Sequence, residues 1–130
     1  MDYPEYLDAV INRIDPTFGK TIDCEQGWWQ IVADCANELE SIDQDYVIYQ
    51  VKEKFGTLRF YFRASDPSLE HKMNKVVSKF EKIASQTCER TGKEGKLLRH
   101  QTTRVYKTLN ERYISSGWDL VEHDYLQVSK

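Results

Sequence analysis

The chain has 130 residues, 40% of them apolar and 30% charged, with a formal net charge of −3. That size carries a hydrophobic core in one domain, residues 1–130, without staples. The acidic balance weighs against a dedicated nucleic-acid binder, no apolar run nears the roughly 20 residues of a membrane helix, and the acidic start MDYPEYLDAV lacks the pattern of a secretion signal, so the expected location is cytoplasmic.

Asp2, Pro4 and Glu5 read as a helix start, and Tyr6, Leu7, Val10, Ile11 and Ile14 recur at helical spacing until Asp15-Pro16 stops them. Phe18-Gly19 and Thr21 to Gln26 read as loop. A second helix fits Gly27 to about Leu39, with Trp28, Ile31, Val32, Cys35, Ala36 and Leu39 as its buried stripe and Trp29 off it.

Tyr46 to Arg63, YVIYQVKEKFGTLRFYFR, reads as two β-strands turning at Phe55-Gly56. A two-residue loop there sets Glu53 against Leu58, Val51 against Phe60, Tyr49 against Phe62 and Val47 against Ala64 on a mostly apolar face. Lys52 against Arg59, Gln50 against Tyr61 and Ile48 against Arg63 fall on the other. Asp66-Pro67 then caps a long helix whose apolar face is Leu69, Met73, Val76, Val77, Phe80, Ile83, Ala84 and Thr87. Beyond the turn at Gly92 to Gly95, Lys96 to Leu98 and Thr103 to Lys107 read as short strands at an edge of the same sheet. Thr108 to Ile114 reads as a short helix, and Trp118 to Tyr125 as a last strand or an irregular tail. The expected fold is α+β: an antiparallel, hairpin-centred sheet of two to four strands, two N-terminal helices, and one long helix over about 66–87 packed on it.

Recognisable chemistry is sparse. His71, His100 and His123 stand in polar settings with no H-E-x-x-H or comparable pattern, and read as solvated. Cys24, Cys35 and Cys88 show no framework spacing and read as reduced thiols, with Cys35 on an apolar stripe. Phosphate loops, dinucleotide fingerprints and G-x-S-x-G are absent from the sequence. Two surfaces remain. The hairpin's outer face gathers Lys52, Arg59, Arg63, Gln50 and Tyr61, which suit a phosphate backbone and a stacked base, though solvent-facing strands carry such residues anyway. The second helix and its exit carry Asp34, Glu38, Asp43 and Asp45, an acidic face able to dock a basic partner. Trp29, Tyr113, Trp118 and Tyr125 are candidate hot-spot rings.

The run QVKEKFGTLRFY (Gln50 to Tyr61), with Gly27-Trp28-Trp29, Thr87-Cys88-Glu89, Gly92-Lys93 and Tyr106-Lys107-Thr108-Leu109, resembles a small family of uncharacterised proteins from bacteriophages, prophages and bacteria. The resemblance spans residues 22 to 113 and implies a shared fold. Many members resemble a C-x-x-C…C-x-x-H zinc arrangement. Here Cys88 holds the first position, but Thr91, Asn110 and Tyr113 hold the others, so no metal or cofactor is carried over. Hydrogen bonds from Thr91, Asn110 and the Tyr113 hydroxyl are expected to hold the same turn. The phage association implies a non-enzymatic protein that binds and inhibits or modulates a host bacterial protein, for example a defence complex such as CRISPR-Cas. A nucleic-acid-binding module is the alternative, and a small enzyme stands third.

Overall fold

The computed structural model describes residues 3–121. A 3-10 turn, Glu5–Leu7, leads into α1, Asp8–Arg13, which buries Leu7, Val10 and Ile14 as their spacing predicts. The predicted cap Asp2 lies outside the described residues. Asp15 ends the helix and accepts from the Thr17 amide at 2.8 Å, capping the turn Pro16–Phe18. Ile22–Asp23, read above as loop, is the short strand β1. A 3-10 turn, Gln26–Trp28, precedes α2, Trp29–Ile42. Trp28, Val32, Cys35, Ala36 and Leu39 are buried as expected, while Ala33 takes the place in the stripe that was assigned to Ile31.

The hairpin is β2, Val47–Lys54, and β3, Thr57–Arg63. Phe55 (φ 54°) and Gly56 (φ 81°) both adopt left-handed backbone, the geometry a two-residue loop needs to match strand twist. From Lys54↔Thr57 to Gln50↔Tyr61 the pairing is as predicted. It then slips by one residue at Tyr49, giving Ile48↔Phe62 and Val47↔Arg63 in place of the expected Tyr49–Phe62, Ile48–Arg63 and Val47–Ala64 pairs. The cause is the three-residue spacing of Ile48 and Val51. Strict alternation sends one of them to water, whereas a bulge turns both inward. Both are fully buried, so Ile48 is not on the outer face. β1 lies parallel to β2 (Ile22↔Val51), and Ile14 with Asp15 continues that edge, the Asp15 amide donating to the Ile48 carbonyl at 2.8 Å. The sheet order is therefore β1-β2-β3.

Asp66 caps the turn Pro67–Leu69 through the Ser68 amide at 3.0 Å, and α3, Glu70–Ala84, follows. Met73, Val76, Val77, Phe80 and Ala84 are buried against α2 and against Leu58 and Phe60 of β3. Each of these side chains larger than alanine contributes about 1.5–3 kcal/mol of burial free energy. Ile83, assigned to the apolar face, is 42% exposed at its margin.

The C-terminal strands do not extend the hairpin sheet. β4, Lys96–His100, β5, Tyr106–Leu109, and β6, Trp118–Leu120, form a second antiparallel sheet in the order β5-β4-β6, over a small core of Cys88, Leu98, Leu109 and Trp118. Thr108 and Leu109 thus belong to a strand, and the predicted short helix is a 3-10 segment, Glu111–Ser116. The second sheet is tied to the first core end-on. The Thr108 hydroxyl donates to the Gly56 carbonyl at 2.7 Å, the Gly27 amide to the Glu89 carbonyl at 2.7 Å, and Trp28 Nε1 to the Thr87 carbonyl at 2.8 Å. No described helix is long and apolar enough to cross a membrane.

Candidate functional site

The outer face of the hairpin follows from alternation on β3: Leu58 and Phe60 turn inward, Arg59 is half-buried, and Tyr61 and Arg63 face water. Lys52 Nζ lies 5.8 Å from the centre of the Tyr61 ring, and Arg63 5.9 Å from that of Tyr49. Phe18 meets Tyr49 edge-on at 5.3 Å, a ring that sequence reasoning left in a loop. Arg59 Nε donates to the Thr57 hydroxyl at 2.9 Å. Among the described residues, ion pairs form on Arg13, Lys79, Arg90, Lys96 and Lys107, and none forms on Lys52, Lys54, Arg59 or Arg63. Phe55, 67% exposed at the tip beside Lys54, was also missed as a surface candidate. Its signal was a bulky residue where a left-handed turn favours Asn.

The acidic face is less coherent than the sequence suggested. Asp34 is exposed and accepts from Gln30 Nε2 at 2.9 Å, and Glu38 is held by Lys79 at 2.7 Å. Asp45 is exposed, but Asp43 is buried and belongs to no surface. Its carboxylate accepts from the Ser65 amide and hydroxyl, both at 2.7 Å, and from the Asp45 amide at 3.1 Å. It thereby ties the exit of α2 to the end of β3. Burial pushes the Asp43 carboxyl up, but these hydrogen bonds and the Arg13 charge outweigh it and hold it below its ordinary 3.8. A depressed carboxylate stabilises the fold above its unfolded value, and the contribution is lost as pH falls through the folded one. Asp43→Ala is therefore expected to cost about 1–3 kcal/mol at pH 7. Urea unfolding checks this, the gap to the parent protein narrowing as pH drops below 3.8.

The candidate aromatics separate. Trp29 is half-buried, donating to the Cys24 carbonyl at 3.0 Å and meeting Tyr3 edge-on at 5.4 Å. Trp118, expected on the surface, is buried in the second core with His100 edge-on at 5.0 Å, because strand pairing with β4 points it inward. Tyr113 is half-buried between Arg90 and Arg112, each 5.2 Å from its ring centre. Tyr125 and His123 lie outside the described residues. His71 is exposed as expected, but His100 is half-buried, its Nδ1 accepting from the Thr102 and Thr103 amides at 3.2 Å.

Where the two cores meet, Glu89 is 1% exposed. Its carboxylate accepts from the Glu25 amide at 3.0 Å and from Lys107 Nζ at 3.0 Å, and Lys107 also reaches Glu25 at 3.3 Å. Burial raises the Glu89 carboxyl. Burial alone lowers Lys107, but the Glu89 hydrogen bond and the surrounding acids raise it overall. The two contacts of Glu25 join the first core to the C-terminal segment, and the Glu89–Lys107 bond braces that segment from within, so this buried network works as a clamp. The thiols of Cys24 and Cys35 are pushed well up by burial, which keeps them protonated at neutral pH.

Cys88 differs. Burial raises its thiol, but donors from the Thr91 hydroxyl and from the Thr91, Asn110 and Arg90 amides outweigh that and lower it. Thr91 Oγ1 accepts from the Lys93 amide at 3.2 Å and Asn110 Nδ2 donates to the Glu94 carbonyl at 2.9 Å, so those two side chains hold the turn, whereas Tyr113 offers its ring to the arginines. Among the described residues, no three His, Cys, Asp or Glu side chains converge as metal ligands, and Thr91, Asn110 and Tyr113 beside Cys88 bring no thiolate or imidazole. The donor set does not fit zinc. Purified protein is expected to carry no stoichiometric zinc and to keep its unfolding midpoint in chelator. One zinc per chain by elemental analysis would overturn this. Comparison with protein-family models finds no match, and none is found among curated proteins or among solved structures.

Proposed function

We propose that the protein works by binding another protein rather than by catalysis, and that the outer face of the hairpin is its contact surface. The observation that carries this is the interleaving of rings at the surface with cations lacking an ion-pair partner among the described residues: exposed Tyr61 with Lys52, and half-buried Tyr49 with Arg63 and, edge-on, with exposed Phe18. Tyr and Arg dominate protein-protein hot spots. Two acids stand among these cations. Asp23 pairs in register with Lys52, and Asp15, 3-10 cap of the neighbouring turn, lies within reach of the Arg63 and Lys20 charges. A phosphate backbone meets those acids as well as the cations, so the mixed face favours a protein over a polyanion.

The finer reading is that the chain is phage- or mobile-element-encoded and inhibits or modulates a host bacterial protein, for example a CRISPR-Cas defence complex. It rests on the resemblance of the QVKEKFGTLRFY motif alone. The acidic residues left at the surface, Asp34, Glu38 and Asp45, form the rival contact face.

Photo-crosslinking from position 61 in bacterial cells tests the assignment, with a single crosslinked partner as the expected result. Tyr61→Ala combined with Arg63→Glu is expected to weaken binding of that partner by about 1,000-fold, two hot-spot residues at about 2 kcal/mol each. The fold should be unchanged, since both side chains face water. Undiminished binding, or loss on Asp34→Lys with Glu38→Lys instead, would move the interface to the helix. An oligonucleotide bound with steep salt dependence would replace the protein-binding reading.

A further inference from the structure

We propose that the free edge of β3 captures an extended, acidic segment of the partner protein by strand addition; this rests on the reading of the hairpin as the contact surface. β3 closes the first sheet on one side, whereas the opposite side of β2 is occupied by β1 and by Ile14 and Asp15. The Phe60 amide points away from β2, donating to Glu81 Oε2 of α3 at 3.3 Å. Leu58 and Phe62 share its phase, so their main-chain groups face the same open edge. At seven residues, β3 is neither shortened nor bulged, two of the usual protections of an edge. Glu81 supplies one acceptor to it and is itself half-buried.

Two shallow hollows border this edge, with Tyr61 shared between them. Phe62 and Asn74 line one, which extends across the sheet to Tyr49 and Phe18, and Arg59, Lys82 and Glu81 line the other. They stand where the alternate side chains of an added strand would lie. Charge identifies the occupant. An antiparallel strand sets its outward side chains about 5 Å from Arg59, Tyr61 and Arg63, so acids belong opposite the two arginines. A second copy of β3 is a poor fit in the symmetric registers that pair most of the strand; centred on Arg59, it sets that arginine against itself. Centred on Tyr61, it opposes Arg59 with Arg63; centred on Phe60, it brings two Glu81 carboxylates together.

The test is NMR titration of the full chain with an acetylated, amidated Thr-Glu-Val-Thr-Val-Glu-Thr peptide. The Leu58, Phe60 and Phe62 amides should shift and gain protection from hydrogen exchange. A Lys-for-Glu peptide should bind about tenfold more weakly or worse, because like charges across strands oppose pairing. Backbone N-methylation of the peptide should abolish binding. Glu81→Ala, which frees the Phe60 amide and leaves the outer face intact, should tighten binding by about threefold or more, one displaced hydrogen bond. Undisturbed edge amides, equal binding of the N-methylated peptide, unchanged affinity in Glu81→Ala, or a dimer with protected β3 amides would each overturn strand addition. If the peptide fails while crosslinking from position 61 still yields a partner, only the strand mode is lost. If both fail, the hairpin face is not the interface.

Discussion

Gly27→Ala is expected to separate the second sheet from the first core. A Cβ built on Gly27 lies 2.3 Å from the Cys88 carbonyl oxygen and 2.5 Å from that of Glu89. Both obstacles are main chain, and the Gly27 amide bonds to the Glu89 carbonyl at 2.7 Å, so neither side yields without breaking the contact. Overpacking typically costs 1–3 kcal/mol, and with two carbonyls in the way the upper end applies, about 3 kcal/mol or more. That corresponds to about 6–12 °C or more in unfolding midpoint for a chain of this size. Calorimetry reads the shift, and amide spectra of Glu89 and Thr108 report whether the sheet has undocked. A midpoint and spectra like those of the parent protein would show that the two backbones do not meet this closely.

Trp28→Ala is expected to be at least as severe, for a different reason. The indole is fully buried in the first core, and its Nε1–H satisfies the Thr87 carbonyl just before the second sheet module. Truncation leaves a large cavity, costing about 3–5 kcal/mol, and strands a carbonyl that had a donor. Domains of this kind hold about 5–15 kcal/mol in total, so the variant is expected to be marginal or unfolded at 37 °C. Trp28→Phe separates the two effects. It keeps most of the ring volume, loses the hydrogen bond, and should cost about 1–3 kcal/mol in urea unfolding. Equal losses in the two variants would mean that the hydrogen bond, not the packing, sets the cost.

These expectations bear on function through the hairpin. Gly56, at its tip, accepts from Thr108 of the second sheet. Undocking that sheet therefore loosens the loop that carries Lys54 and Phe55 beside the proposed contact face. A variant that loses partner binding together with stability is explained by the junction. Tyr61→Ala with Arg63→Glu, which should lose binding at full stability, is not.

Local signals were enough for the hairpin, the α3 helix, the helix stop at Asp15-Pro16 and the cap at Asp66. Apolar alternation, a glycine at the bend, and an Asp-Pro pair act on neighbours a few residues away. They also placed Leu58 and Phe60 inward with Tyr61 and Arg63 outward, which is the candidate face. Long-range partners settled the rest. Asp43 is drawn inside by Ser65, 22 residues away, and Gly56 is held by Thr108, 52 residues away. The bulge at Tyr49 arises because the core takes both Ile48 and Val51. Trp118 is buried because β6 pairs with β4, and the free edge of β3 exists because β4 and β5 formed a sheet of their own. Burial and edge exposure are set by what packs on a segment from elsewhere in the chain, and residue type along a strand does not encode that.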